Sequence, residues 1–289
     1  MERKSTALVS ILILIVIFSA CPDRVLAQAG GGDQFLDGIG ETALIARYTF
    51  NGNEEDWSRN NYHASLHGSE ASYVEDSRFG KVLSLPGEDK GGYVQIPGQV
   101  LAGIDNISVT GWLFIRSETP WQRFFDFGQD ATQNFFCTPI GEEPSEGYRA
   151  RITTTGWTEE LGPVSQRVPT NRWVHLAIVL DTAQQTLSTY LDGKKTASVG
   201  DVDLSLEQVL DRDNPAANLL YIGKSEYDTD SDINAKVYDV RIYSIALTDK
   251  QVATIYSNAL SGEHTSVTET GAQNQDEPAV STARTVSSG

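Results

Sequence analysis

The sequence is short of cysteine, basic residues and histidine. Cys21 and Cys137 are the only 2 cysteines in 289 residues, so no cystine framework can hold the fold and stability has to come from a buried core. Cys137 lies between Phe135-Phe136 and Thr138-Pro139, the setting of a buried structural thiol rather than of a nucleophile. Lys and Arg number 22 against 39 Asp and Glu, a formal charge of −17. Phosphate groups are bound by a surplus of Lys and Arg, so nucleic acid and anionic membrane surfaces are excluded as partners. The acidity reads as a solubility device. The 4 histidines (His63, His67, His175, His264) show no metal-ligand spacing. The chain also lacks a Gly-x-Ser-x-Gly elbow, a phosphate-binding loop and a dinucleotide fingerprint.

What is present begins with a targeting segment. Arg3 and Lys4 form a basic start, and Ala7 to Ala20 is an apolar run, shorter than the about 20 residues of a membrane span. Two processing sites compete. Val25-Leu26-Ala27 fits cleavage after Ala27, which makes residues 1–27 a signal peptide and the protein soluble and secreted or periplasmic. Phe18-Ser19-Ala20-Cys21 resembles a bacterial lipobox, which makes Cys21 a lipidated N-terminus and the only route to a membrane. Residues 28–41 are Gly-rich and read as a flexible linker. Residues 261–289 turn to Ser, Thr, Gln and Ala with no aromatic residue, and cannot bury enough apolar surface to order themselves. One globular domain remains, over 42–260.

That domain is a succession of short strand patterns separated by turn residues. They cover Ala43–Phe50, Lys81–Leu85, Tyr93–Ile96, Ile107–Arg116, Arg123–Phe127, Asn134–Thr138, Tyr148–Thr154, Trp173–Asp181, Thr186–Leu191, Leu219–Ile222 and Lys236–Tyr243. Asp192-Gly193 predicts a type I′ hairpin turn. The run Trp173 to Leu180 is apolar on both faces, as a central covered strand requires. In the last strand, period-two alternation puts Tyr238, Val240 and Ile242 on one face, and Asp239 and Arg241 on the other. Thr248-Asp-Lys-Gln251 then predicts a capping box for a short helix anchored by Val252 and Ile255. Many strands and almost no helix mean an all-β, antiparallel two-sheet jelly-roll sandwich with one short C-terminal helix.

Several blocks resemble a known family in its own order. They are Tyr48-Thr-Phe-Asn-Gly-Asn53 with Asp56 and Ser58, Phe79-Gly-Lys-Val-Leu-Ser-Leu85, Gly92-Tyr-Val-Gln-Ile-Pro97 and Ile107-Ser-Val-Thr-Gly-Trp112. Phe125-Asp-Phe-Gly128, Asn171-Arg-Trp-Val-His-Leu-Ala177, Tyr190-Leu-Asp-Gly193, Tyr221-Ile-Gly-Lys-Ser225 and Asp239 to Thr248 follow. Together they resemble laminin G-like domains of the concanavalin A-like lectin/glucanase superfamily, in its bacterial exported branch. The resemblance implies two curved sheets packed face to face. Some relatives hold a structural Ca²⁺ between the opening loop and the closing strand, which here points to Asn51, Asp56 and Asp239 as oxygen ligands. Two positions depart from the family pattern, Asn51 and Tyr238, where acids are common. The competing account is that Asp239 pairs with Arg241 and that Asn51 simply serves a turn.

Some members of the superfamily are glycosidases, which work with two carboxylates about 5–5.5 Å apart in the retaining case. The glucanase pattern Glu-x-Asp-x-x-Glu is approached at Glu54-Glu-Asp56 and Glu226-Tyr-Asp228, each without the last Glu and each in a loop pattern. Asp228, Asp230 and Asp232 alternate like a calcium loop, but Ile233 stands where its sharp-turn glycine belongs. The expectation is therefore a non-catalytic recognition module for a polysaccharide or glycoconjugate. An adhesive module contacting a cell-surface protein is the alternative, and a divergent glycoside hydrolase or lyase a weaker one. Sugars are bound by aromatic platforms flanked by polar groups. Trp121, Trp157 and Trp57 stand beside turn signals and are the expected platforms, with Tyr148 and Arg151 in support; Trp112 and Trp173 lie mid-strand and belong to the core.

Overall fold

The computed structural model describes residues 43–88, 92–142 and 146–261. The expected leader, linker and, Ser261 apart, tail lie outside the described residues. Among the described residues fourteen strands run in chain order: β1 Leu44–Tyr48, β2 Ser65–His67, β3 Ser72–Asp76, β4 Gly80–Glu88, β5 Tyr93–Ile96, β6 Ile107–Ile115 and β7 Phe125–Asp130. They continue as β8 Gln133–Thr138, β9 Arg149–Thr153, β10 Trp173–Asp181, β11 Thr186–Leu191, β12 Lys194–Val199, β13 Leu219–Ile222 and β14 Asp232–Tyr243. A one-turn helix α1 (Leu206–Val209) precedes β13, and α2 (Asp249–Ser261) follows β14.

The strands form two antiparallel sheets. The eight-stranded sheet runs β12-β11-β10-β6-β14-β4-β3, with β1 also paired to β14; the six-stranded sheet runs β2-β5-β13-β7-β8-β9. Their facing sides share one core, in which Leu113, Leu176, Ile178 and Val240 meet Val94, Phe125, Phe135, Ile152 and Leu220. This is the jelly-roll sandwich that the alternation predicts. Gly111 on β6 has a steric purpose: a Cβ there would meet the Phe124 ring at 2.7 Å, so only glycine lets that ring reach across.

Strand β10 is buried along nearly its whole length because its outer side is covered as well. Ala177 and Val179 pack there with Val252 and Ile255 of α2. The capping box forms, with the Thr248 N–H donating to Gln251 Oε1 at 2.8 Å and the Gln251 N–H to Thr248 Oγ1 at 3.3 Å. Asp192 and Gly193 both take the positive φ that a type I′ turn needs, 49° and 76°.

The closing strand departs from simple alternation. Between Tyr238 and Arg241 the register with β6 slips by one residue, a β-bulge centred on Asp239, whose φ is 48°. Before the bulge Ala235 and Val237 face the core; after it Val240 and Ile242 do. Tyr238 therefore points outward, stacked on Phe79 with ring centroids 4.4 Å apart, and does not share a face with Val240. The extra residue reverses the phase of the pattern.

Candidate functional site

The outer side of the six-stranded sheet carries chemistry that its core side lacks. Cross-strand register sets Gln95, Tyr221, Asp126, Phe136 and Arg151 opposite one another on β5, β13, β7, β8 and β9. Their sequence neighbours Val94, Ile222, Phe125, Phe127, Cys137 and Ile152 are core, so this row turns away from it. At about 4.8 Å per strand the row spans about 19 Å.

Asp126, fully buried, is its centre. Asn134 Nδ2 donates to Oδ1 at 3.0 Å, while the Glu226 backbone N–H at 3.1 Å and Arg123 Nε at 3.3 Å reach Oδ2. The same guanidinium pairs with Asp230 at 3.0 Å, donates to the Trp121 carbonyl at 2.7 Å and lies 4.1 Å over the Phe136 ring. Arg151 adds an ion pair to Glu160 at 3.6 Å and donates to the Gly162 carbonyl. Two cations thus face four carboxyls: Asp126, Glu226, Asp230 and Glu160. Burial pushes Asp126 up to about 6 against the pull of Arg123. Burial, reinforced by Asp126 and Asp130, pushes the Glu226 carboxyl well above its ordinary range. Asp230 and Glu160 are raised as well, burial leading in each.

Four buried polar atoms around this centre have no hydrogen-bond partner among the described residues: Glu226 Oε1 and Oε2, Asn134 Oδ1 and Tyr227 Oη. Tyr227 stands next to the loop that carries Trp157, since a Cβ on Gly156 would come within 3.3 Å of its hydroxyl. Trp157 itself is 80% exposed. On the other side of the row lies an aromatic platform. His67 stacks on Tyr93 at 4.7 Å, Tyr93 meets Tyr221 edge-on at 5.3 Å, and Lys224 Nζ lies 5.1 Å from the Tyr93 ring and 5.6 Å from that of Tyr221. All four residues are half-buried.

Of the residues expected from sequence, the structure brings three to this face. Trp157 stands beside Tyr227, Arg151 ends the row, and Trp121 lies under the Arg149 guanidinium, 5.1 Å from its ring centroid. Trp57, half-exposed, is on the loop from β1 to β2, its N–H bonded to the Arg47 carbonyl. Tyr148 is a correction: its ring is wholly in the core and its hydroxyl lies 3.3 Å from Thr196 Oγ1, so no ligand can touch it. His67, Tyr93, Tyr221, Lys224, Arg123, Asp126, Asn134, Glu226 and Tyr227 were missed. Glu226 alone left a trace, as part of the incomplete Glu-x-Asp pattern.

The residues present do not fit a Ca²⁺ ion. Asp239 already takes Arg47 Nε at 2.8 Å and Arg241 Nη2 at 2.6 Å. Asp56 accepts from the N–H groups of Arg47, Ser58 and Tyr62 at 2.8–3.0 Å, and from Ser58 Oγ at 2.8 Å. A cation there would meet donors where it needs acceptors, and Asn51 is exposed. Among the described residues no group of three or more His, Cys, Asp or Glu is placed to hold a metal. Cys137 is buried, which pushes its thiol well above the usual range and leaves it inert.

No curated protein sequence matches the chain. Among solved structures it is similar to domain 4 of AbnA, an extracellular GH43 arabinanase from Geobacillus stearothermophilus, in complex with arabinotriose. The TM-score is 0.61 at 21% identity, over 74% of this chain and 98% of that one. It is also similar to the binding domain of botulinum neurotoxin DC in complex with rat synaptotagmin II, with TM-score 0.58, 15% identity and coverage of 76% and 52%. Botulinum neurotoxin type C, whose cell entry depends on interaction with two ganglioside molecules, matches with the same values. The chain spans about half of each toxin domain. At these identities the likeness shows the fold. A laminin G family profile described as the concanavalin A-like lectin/glucanases superfamily matches residues 88–253, more than half of the chain, and the protein belongs to that family.

Proposed function

We propose that the protein is an exported, non-catalytic glycan-binding module whose ligand lies along the outer side of the six-stranded sheet. The observation that carries this is the juxtaposition on one sheet face of a half-exposed Tyr93–Tyr221 platform with the half-buried polar side chains of Gln95 and Lys224. A sugar offers an apolar ring face and a rim of hydroxyls, and this surface presents the complement of both. The arabinotriose complex of the AbnA domain supports the reading. The basic and apolar leader supports export.

Catalysis is disfavoured by the way Asp126 is held. It is fully buried and both its oxygens already accept donors, from Asn134, Glu226 and Arg123, so its carboxylate is not presented to a sugar carbon. The test is a glycan panel probed with the intact protein, followed by the Tyr93→Ala and Tyr221→Ala variants. Binding weakened about 10-fold or more by each is the expected result, in line with the loss of about 1.4 kcal/mol or more of ring contact. A panel without binding would move the assignment to protein adhesion, as the synaptotagmin complex of the toxin domain suggests. Reducing ends released from any polysaccharide would return it to the hydrolases.

A further inference from the structure

We infer that Lys224 is the counter-ion for a carboxylate on the ligand, so that the saccharide stacked on Tyr93 and Tyr221 is an acidic one. The inference rests on the glycan-binding reading and names the ligand class at the same platform. Two of the lysines among the described residues are half-buried, Lys236 and Lys224, and each lies against two aromatic rings. On the outer side of the eight-stranded sheet, Lys236 Nζ is 4.3 Å from the Phe114 ring centroid and 5.3 Å from that of Trp173. That ammonium pairs with Asp76, which also accepts from Trp173 Nε1 at 3.1 Å. On the six-stranded sheet Lys224 Nζ takes the same place, 5.1 Å from the Tyr93 ring and 5.6 Å from that of Tyr221, but no carboxylate among the described residues pairs with it. The Tyr93 and Tyr221 hydroxyls, the donors that correspond to the Trp173 indole N–H, make no hydrogen bond to a described residue either.

Ring faces attract a cation through their quadrupole but carry no net charge, so the ammonium keeps its full charge and the N–H donors not turned to the rings. In the Lys236 cluster the protein supplies the anion itself. In the Lys224 cluster that position is open, on a half-exposed surface. The placement of Lys224 is built into the backbone. Gly223 takes φ 89°, and a Cβ there would meet Leu85 Cδ1 at 2.5 Å, so this turn is reserved for glycine. Its N–H donates to the Phe124 carbonyl at 3.0 Å, and its own carbonyl accepts from the Ile233 N–H at 2.8 Å. On the other side Ser225 is buried, its Oγ donating to Asp230 at 2.8 Å. Fixed residues on both sides thus carry the ammonium to the rings, the preorganisation that a binding group needs. The acids that act on Tyr221 are Glu226, Asp126 and Asp228, and none is ion-paired with Lys224. A chain of charge −17 repels polyanions at long range, so Lys224 suits a short sugar with an isolated carboxylate rather than a densely charged polymer.

Calorimetry of the intact protein with matched oligosaccharides, at low and at high salt, tests the assignment. The pairs are galacturonate oligomers and their methyl esters, glucuronate-bearing and unsubstituted xylo-oligosaccharides, and sialyllactose and lactose. The acidic member of at least one pair should bind about 10-fold tighter than its neutral partner, and salt should narrow the difference. Lys224→Gln should remove the preference, bringing the two members within about 2-fold of each other, whereas Lys224→Arg should keep it. Tyr93→Ala should weaken both members. Thermal melts check that each variant is folded. A neutral glycan as the tightest ligand, weakened by Tyr93→Ala, would overturn the inference and keep the glycan-binding reading. So would an acidic preference that Lys224→Gln leaves in place. No binding to any pair, together with a blank glycan panel, would remove both.

Discussion

Each sheet buries carboxylates, but they are treated in opposite ways. Asp239 in the eight-stranded sheet sits between Arg47 and Arg241, with side-chain exposures of 2%, 15% and 7%, and each of its oxygens accepts from a guanidinium. Burial works to raise its pKa, but the Arg241 and Arg47 guanidiniums outweigh it and hold the carboxyl well below its ordinary range. Asp126 in the six-stranded sheet and Glu226 on the loop after β13 share one principal cation between them and Asp230, and both are raised. The first cluster is closed. It stabilises a bulge in which a non-glycine residue takes φ 48°, a conformation with a penalty of about 1–2 kcal/mol for most L-residues. The second is open, in that its acceptors exceed the donors the protein supplies. An open cluster weakens the fold it sits in, and sites that bind are where such local losses are retained.

The sharpest way to break this contrast is to remove Asp239. Asp239→Ala leaves a buried Arg241 and a mostly buried Arg47 without their shared anion, and should lower stability by about 3–5 kcal/mol in urea unfolding. A loss under about 1 kcal/mol would mean that the cluster is not closed as described. The pH dependence has a definite sign. Because the folded pKa lies below the unfolded one, the contribution of Asp239 is present at neutral pH and is lost as pH falls below about 4.

Glu226 should behave in the reverse sense and more weakly. Its folded pKa is raised to about 10, so its contribution is complete below the unfolded value of about 4.3 and is lost as pH rises from there toward the folded value. The groups that set this are Asp126 and Asp130 on β7, which raise it, and Arg123, which opposes them. Replacing Glu226 by Met removes the titration. The variant should match the parent near pH 4 and exceed it by about 1–2 kcal/mol at pH 8, read as a gap in Tm that widens with pH. A gap that is constant with pH would show that Glu226 is ionised at neutral pH. A single substitution that stabilises the fold at high pH is the behaviour that separates the two clusters most clearly.

The two sheets also differ in how far they can be read from sequence. Strands β5, β10, β11 and β13 coincide end to end with their apolar patterns, β10 because it is covered on both sides and β5 and β13 because every second residue is fully buried. Strands β2 and β3 were not expected, since Ser65–His67 is only three residues long and Ser72–Asp76 at the sheet edge has no fully buried position to set a period. The bulge was invisible because Asp occupies the position at which a glycine would have announced it. For the site, tryptophans beside turns led to Trp121 and Trp157, which do border the face. Its centre depends on register among β13, β7, β8 and β9, strands far apart in the chain, and no spacing along one dimension encodes that row. Tyr148 failed for a related reason. It directly precedes β9, whose alternation did not reveal which side its ring would take.

Calcium gives the smallest expected effect, and a null result here is informative. The opening loop and the closing bulge are the place where the family resemblance points to a structural ion. In this chain they are joined instead by protein donors: the Arg47 N–H on Asp56 at 2.9 Å and the Arg47 side chain on Asp239 at 2.8 Å. One residue thus links both carboxylates through its two ends. A Ca²⁺ bound there would have to displace Arg47, and the repulsion between a divalent cation and the guanidinium at about 4 Å, about 8 kcal/mol at an effective dielectric of 20, opposes it. Chelator should therefore shift Tm by less than about 1 °C. Arg47→Gln should create a dependence on added Ca²⁺ that the parent lacks, because it frees one oxygen of Asp239 while leaving the loop carboxylate in place. A parent Tm that falls by several degrees in chelator would show that the guanidinium has not taken over the role of the ion.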